Sequence, residues 1–260
     1  MRHMRDRVRE RWEQGEVALN AWLTLEGASA AEAVARAGFD AVTVDLQHGA
    51  VTPDALGALV AAIEPTGAVP FARLPWNDPA AAMRALDLGV RGVIAPMINS
   101  AEEATALARA CRYPPRGIRS YGAVRSAFGS GRDQTERANG STLVFAQIET
   151  AEGLGAVSQI CAVDGLDGVY VGPADLSLAL GLASFADLED PKLLEALDRV
   201  LEAARTREIV AGIHAPSVGA AVAMARRGFT FVGSAGDADA LSSALTASTD
   251  QVRAELARPS

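Results

Sequence analysis

The chain has 260 residues, of which 49% are apolar and only 5% aromatic, with a formal net charge of −8 and a pI near 5.0. That size and apolar content suit one large α/β domain whose core is filled by Ala, Leu, Val and Gly. The acidic balance argues against nucleic acid or an anionic membrane as a partner, and no apolar run reaches the roughly 20 residues that cross a bilayer.

Residues 1–12, MRHMRDRVRERW, form the one basic cluster. Asp6 and Glu10 interrupt it and no apolar segment follows, so it reads as a solvated first helix, an extension over about residues 1–15, rather than a targeting peptide. Short β-branched apolar runs then recur at 17–23 (VALNAWL), 41–45 (AVTVD), 68–73 (AVPFAR) and 92–96 (GVIAP). Four more follow at 143–149 (LVFAQIE), 168–172 (GVYVG), 209–214 (IVAGIH) and 230–233 (TFVG). Near-continuous hydrophobicity marks strands covered on both faces, as in a parallel sheet.

The intervening stretches carry helix signals. Pro53-Asp54 and Asp78-Pro79 look like helix starts, and Ser100 with Glu103 fits a capping box. Leu194, Leu197, Leu201 and Ala204 make one apolar stripe, and several segments close on Gly before the next strand. Eight such units predict a single-domain (β/α)8 TIM barrel over residues 1–260. The alternative is a doubly wound open sheet, but no Gly-rich nucleotide turn follows any strand. The GSG at 129–131 does not follow a strand and reads as a turn. Residues 113–141, rich in Arg, Gly and Ser, are too long for a routine connection and could form a lid, a subunit contact or a site wall. Cys111 and Cys161 lack CxxC spacing and read as buried, reduced thiols, which suits a cytoplasmic protein.

A barrel of this type builds its site at the C-terminal ends of its strands. Those ends hold Asp45 with Gln47 and His48, then Arg73, then Gln147 and Glu149, then Gly172-Pro-Ala-Asp175, then His214. Both histidines other than His3 fall on this rim. Glu149 and Asp175, from adjacent strands, can converge on one cation, and two oxygen ligands with open positions suit Mg²⁺ or Mn²⁺. Each can instead cap a following helix. Zinc is disfavoured because no Cys or His pair has its spacing. A Ser hydrolase lacks its GxSxG elbow. A Schiff-base aldolase lacks a strand-end lysine, since the only lysine is Lys192 in EDPKLLEAL. Arg73 can bind a carboxylate bidentately or pair with a core acid. His48 can act as a base whose tautomer Asp45 fixes, or be a structural turn residue. For His214, structural satisfaction and substrate contact stand equal.

The segments VDLQHG, FARLPWNDP, ALDLGVRGVIAPMINSAEEA, RYPPRGIRS, AQIETAEGL and DGVYVGPADLS, in this order and spacing, resemble the HpcH/HpaI family of class II, metal-dependent pyruvate aldolases. The resemblance covers nearly the whole chain. It implies a TIM barrel, a divalent metal (Mg²⁺, Mn²⁺ or Co²⁺) on Glu149 and Asp175, and a pyruvate-like carboxylate contacted by Arg73 and by backbone amides around Gly172 and Ala174. Gln147 joins this substrate-binding set. His48, paired with Asp45, takes the base role. Asp87 matches an acid that a neighbouring subunit contributes in a homohexamer. The partners implied are a 2-oxo acid and an aldehyde. Gln47 departs from the family's commoner Glu before the histidine. The expected activity is retro-aldol cleavage of a 4-hydroxy-2-oxo acid; an acyl-CoA ester lyase, or a noncatalytic 2-oxo-acid binding protein, is the alternative.

Overall fold

Eight parallel strands close into a barrel in sequence order, the eighth pairing with the first. The computed structural model describes residues 6–127, 134–183 and 187–258; His3 and the GSG at 129–131 lie outside these residues. The strands are β1 (Ala18–Leu23), β2 (Ala41–Asp45), β3 (Val69–Arg73), β4 (Gly92–Ala95), β5 (Leu143–Ile148), β6 (Gly168–Val171), β7 (Val210–His214) and β8 (Phe231–Gly236). All eight fall on the predicted runs. The largest difference is at β8, which continues to Gly236.

Helix α1 (Arg7–Glu13) precedes the barrel, and α2 (Ala28–Arg36), α3 (Leu56–Ile63), α4 (Pro79–Asp87) and α5 (Ala101–Ala110) follow the first four strands. Helix α6 (Gln134–Ser141) leads into β5, which is followed by α7 (Ala151–Gly155) and α8 (Val157–Cys161). Helices α9 (Pro173–Ala179) and α10 (Pro191–Thr206) follow β6, α11 (Val218–Arg227) follows β7, and α12 (Asp237–Leu256) follows β8. The starts are where the sequence puts them: Asp78 accepts from the Ala80 amide, and Ser100 accepts from the Glu103 amide. Glu103 reaches back to the Asn99 amide, one residue beyond the expected partner.

Because side chains alternate across a strand, each strand sends every second residue into the barrel. The inward columns run Ala18–Asn20–Trp22, Ala41–Thr43–Asp45, Val69–Phe71–Arg73, Leu143–Phe145–Gln147 and Val210–Gly212–His214. Aromatic rings fill the middle layer: Phe71, Phe145, Tyr170 and Phe231 are fully buried and pack ring against ring. Glycine on the neighbouring strand makes room for the Phe71 and Phe145 rings. A Cβ at Gly92 would lie 2.1 Å from Phe71, and one at Gly168 would lie 2.4 Å from Phe145. Each column is therefore apolar below and polar at its upper end, which puts the chemistry at the barrel mouth.

The first helix is not solvated as expected. Val8 is fully buried, and Trp12 lies against Phe145 and Phe231 while its indole donates to the Thr230 carbonyl at 2.8 Å. Its arginines meet acids of the barrel base, Arg9 with Asp167 and Arg11 with Asp40. Helix α1 thus closes the N-terminal end of the barrel, and its basic residues read as solvated only because their partners are distant in sequence.

The segment 113–141 enters β5 from the same N-terminal face. Arg125 bonds the Leu88 carbonyl and Glu64, and Arg119 bonds Asp87. Arg119 and Arg125 thus face the N-terminal end of their own barrel and not its mouth. Cys111 and Cys161 are free and buried, and burial pushes both thiols up to about 12.

Candidate active site

The upper ends of the columns surround a cavity of about 280 Å³ lined by Trp22, Asp45, His48, Arg73, Gln147, Gly172, Ala174, Asp175, His214 and Asp239. A larger hollow of about 420 Å³ on the opposite face runs between Glu64, Tyr113, Arg119 and Arg125. Arg125 is paired there with Glu64, and Arg119 with Asp87. The cluster of acids, imidazoles and a cation facing one space is at the mouth.

Asp45 ends β2 directly beside Arg73, its register partner on β3. The two form a bidentate pair, Nε to Oδ1 at 2.9 Å and Nη2 to Oδ2 at 2.5 Å. Asp45 is 2% exposed. Its burial works against the charge, but the Arg73 hydrogen bonds and charge, with the His48 and Gln47 amides, hold the carboxyl below its ordinary range. The pairing expected between Asp45 and the His48 ring is absent among the described contacts: Asp45 takes the His48 backbone N–H at 3.2 Å instead. A strand-end carboxylate in register with an arginine meets it before it can turn to a histidine three residues on. Arg73 also lies over Trp22, 4.7 Å from the ring centroid, so carboxylate and indole together fix the guanidinium. His48 itself is exposed on the rim of the cavity.

Glu149 follows β5 and is 2% exposed. The Met97 amide donates to Oε1 at 2.7 Å, and Gln147 Nε2 donates to Oε2 at 2.5 Å. Met97 holds a left-handed backbone, φ 58°, a conformation rare for a side-chain-bearing residue that here aims its N–H at the carboxylate. Burial first, then the like charge of Asp175, raise the Glu149 carboxyl above its ordinary value; Met97, Gln147 and Arg73 act against them. Neither acid caps a helix. Thr150 caps α7 through the Gly153 amide, and the cap position of α9 is Gly172, with Asp175 inside the first turn.

A divalent cation fits these residues. A buried carboxylate disfavoured in its charged form beside a second carboxylate is stabilised by a positive charge between them, and hard oxygen donors suit Mg²⁺-like ions. Gly172 keeps the space open, because a Cβ there would lie 2.4 Å from Glu149 Oε2. Among the described residues no three His, Cys, Asp or Glu side chains cluster as a closed cage.

Of the residues expected at the site, Asp45, His48, Arg73, Gln147, Gly172, Ala174 and Asp175 line the cavity, and Glu149 lies directly behind Gly172. Asp87 does not. It ends α4 on the opposite face and accepts from Arg119 at 2.9 Å. The Gln47 side chain does not line the cavity, and its Oε1 is buried without a hydrogen bond. Trp22, Asp239 and the Met97 amide are among the groups that escaped the sequence reading. Trp22 tops the inward column of β1, a position that strand alternation alone could have shown. Asp239 lies beyond the predicted end of β8, so the strand-end inventory stopped short of it. The amide of Met97 leaves no trace in its side chain.

Comparison with known proteins places these features in context. The family described as HpcH/HpaI aldolase/citrate lyase matches residues 19–244. A hydroxypyruvate/pyruvate aldolase of Rhizorhabdus wittichii is 41% identical over 239 residues, covering 92% of this chain and 95% of that protein. A 4-hydroxy-2-oxo-heptane-1,7-dioate aldolase of Escherichia coli is 35% identical over 190 residues, 72% of each chain. The crystal structure of an HpcH/HpaI aldolase/citrate lyase family protein from Burkholderia cenocepacia superposes with a TM-score of 0.88 at 31% identity, covering 96% of this chain and 100% of that one.

Proposed function

The chain belongs to the HpcH/HpaI aldolase/citrate lyase family, and from that membership we propose how its barrel mouth works as a divalent-metal-dependent aldolase. It is a carbon–carbon lyase that cleaves a 4-hydroxy-2-oxo acid between C3 and C4 to pyruvate, or a related 2-oxo acid, and an aldehyde. The observation that carries the site assignment is the meeting, on one mouth, of a buried carboxylate beside a second acid with an arginine clamped by Asp45.

Glu149 and Asp175 would hold the cation, with Mg²⁺, Mn²⁺ and Co²⁺ as candidates. When bound, the cation supplies Lewis-acid polarisation of the 2-oxo group. Arg73, its direction set by Asp45 and Trp22, offers its remaining N–H groups to the oxygen on which negative charge grows as C3–C4 breaks. Backbone amides at the start of α9, around Gly172 and Ala174, receive the substrate carboxylate, and Gln147 borders the same space. His48, with no hydrogen bond to its ring among the described contacts, is free to accept the proton of the 4-hydroxyl in cleavage. The electron pair of the broken bond passes to the enolate of the 2-oxo acid, and a proton returned to C3 completes the product.

Asp87 faces away from its own cavity, so in this reading it serves a neighbouring subunit in a homohexamer. Helix α12 supports assembly: Leu241, Leu245, Val252 and Leu256 are exposed, and no residue of the helix is buried. A shallow apolar groove of about 380 Å³ between Val17, Leu19, Phe39, Val218 and Val222 lies open on the same molecule. A cytoplasmic location belongs to the same reading and is supported by two unpaired cysteines. The acyl-CoA alternative finds no support at this chain's own mouth from Arg119 and Arg125, which pair with Asp87 and Glu64 on the opposite face.

The test is hydrogen–deuterium exchange at C3 of pyruvate, followed by NMR with Mn²⁺-free, Mg²⁺-loaded protein. His48→Ala should slow exchange by about 10²- to 10⁴-fold, the usual share of a general base, while leaving metal affinity unchanged. Normal exchange in that variant would remove His48 from the base role.

A further inference from the structure

Asp237 opens α12 directly after β8, and its carboxylate turns across the closing seam of the barrel to the end of β1. Oδ1 accepts from the Thr24 amide at 2.8 Å and from the Thr24 hydroxyl at 2.6 Å, and Oδ2 accepts from the Leu25 amide at 2.9 Å. Its own helix sends it the Ala238 amide, at 2.9 Å to Oδ1. The carboxylate thus serves the end of β1 more than the start of α12. Thr24 and Leu25 in turn hold the turn that carries His48. The Thr24 carbonyl accepts from the Ala50 amide at 2.8 Å, and Leu25 pairs with Ala50 in a parallel bridge. The chain passes Thr24 so closely here that a Cβ at Gly49 would lie 3.2 Å from Thr24 Cα and 2.4 Å from the Asp45 carbonyl oxygen. His48 is therefore held on both sides: Asp45 takes its amide at 3.2 Å, and the Thr24 backbone fixes the two residues after it. With the ring exposed on the rim, this backbone sets where the imidazole stands.

Resting on the aldolase reading, in which His48 is the base, we propose that Asp237 is a positioning residue for the reaction: acting through Thr24, it fixes where His48 stands at the cavity. The position calls for a carboxylate and not merely for its shape. An ionised carboxylate accepts at both oxygens, and hydrogen bonds to a charged acceptor are the strong ones. Asparagine has the same outline with one acceptor oxygen, so its NH2 group must face the amide of Thr24 or of Leu25, donor against donor. The end of β1 then shifts, and Gly49 and Ala50 shift with it. Arg73, Glu149 and Asp175 are carried by β3, the end of β5 and α9, and keep their places. The base is displaced while the groups that bind cation and 2-oxo acid stay.

The test measures kcat and KM for deuterium exchange at C3 of pyruvate in Mg²⁺-loaded wild type, Asp237→Asn, His48→Ala and the double variant. Asp237→Asn should lower kcat by up to about 100-fold, the cost of misplacing a reacting group by about 1 Å. KM for pyruvate and Kd for Mn²⁺ should each change by less than about threefold, since binding equal in ground and transition states is untouched. In the His48→Ala background, at enzyme concentrations that keep exchange well above the metal-only rate, Asp237→Asn should cost nothing further, because its effect runs through the missing imidazole. If Asp237→Asn does not fold, Thr24→Val removes the hydroxyl bond in its place and should lower kcat alone, with Thr24→Ser restoring it. An unchanged kcat, an equal loss of pyruvate or Mn²⁺ affinity, or a full additional loss in the double variant overturns the assignment. An active wild type with any of those results sinks this inference alone, whereas a wild type without metal-dependent exchange sinks the aldolase reading with it.

Discussion

Replacing Gly172 with alanine should disable the cation site through steric contact alone. The backbone at Gly172, φ −94° and ψ 89°, is open to alanine, so no conformational penalty confuses the result. The new Cβ would lie 2.4 Å from Glu149 Oε2 and 2.7 Å from Gln147 Nε2. Ordinary contact begins at 3.4 Å, so the carboxylate oxygen must move by 3.4 − 2.4 = 1.0 Å. It has little freedom to do so, because Met97 holds Oε1 at 2.7 Å and Gln147 holds Oε2 at 2.5 Å. The methyl group must push the Gln147–Glu149 hydrogen bond apart. Losing such a supporting bond costs about 10- to 100-fold in metal affinity, or about 1.4–2.8 kcal/mol at 1.4 kcal/mol per decade. Equilibrium dialysis against Mn²⁺ reads this directly, with a thermal melt of the metal-free variant to show that it folds. A folded Gly172→Ala protein with wild-type Mn²⁺ affinity would refute the assignment of Glu149 as a ligand.

Asp45→Asn leaves Arg73 without its counter-charge, and breaking such a pair costs about 3–5 kcal/mol in a closed interior; with Arg73 opening on the cavity (its side chain is 12% exposed) the lower end is expected in urea unfolding. The Asp45 carboxyl titrates lower in the folded than in the unfolded chain, so its contribution is full above about pH 4, the unfolded value, and fades as pH falls through the folded one. The stability gap between wild type and Asp45→Asn should therefore narrow in acid. Glu149 works in the opposite sense: its raised carboxyl favours the metal-free fold at low pH, and that contribution is lost as pH rises through the folded value. Added Mg²⁺ or Mn²⁺ should consequently raise Tm most near neutral pH, with the increment shrinking as Glu149 takes its proton; a pH-independent increment would contradict this. Leu245→Glu on the exposed face of α12 should lower the oligomeric mass measured by light scattering, and an unchanged mass would exclude α12 from the assembly.

The barrel was legible because its strands are buried on both sides, so each one stands out as an apolar run ending where polar residues begin. Arg73, Gln147 and His214 were legible for the same reason, as the last inward members of their strands. What escaped depends on which neighbour a side chain chooses. Asp45 has a histidine three residues away in sequence, yet parallel pairing of β2 with β3 brings Arg73 directly alongside it. The basic first helix reads as a surface element until folding places Asp40 and Asp167 beside it. The Met97 amide became a carboxylate anchor through a backbone conformation that methionine does not advertise. Long-range pairings of this kind are written in the topology, and local pattern does not carry them.

The central claim is tested most directly by pyruvate release from a 4-hydroxy-2-oxo acid, measured before and after treatment with EDTA and again after restoring Mg²⁺ or Mn²⁺. Release that stops on chelation and returns with the cation is the predicted result. Release that continues unchanged in excess EDTA would contradict a divalent-metal aldolase built on Glu149 and Asp175.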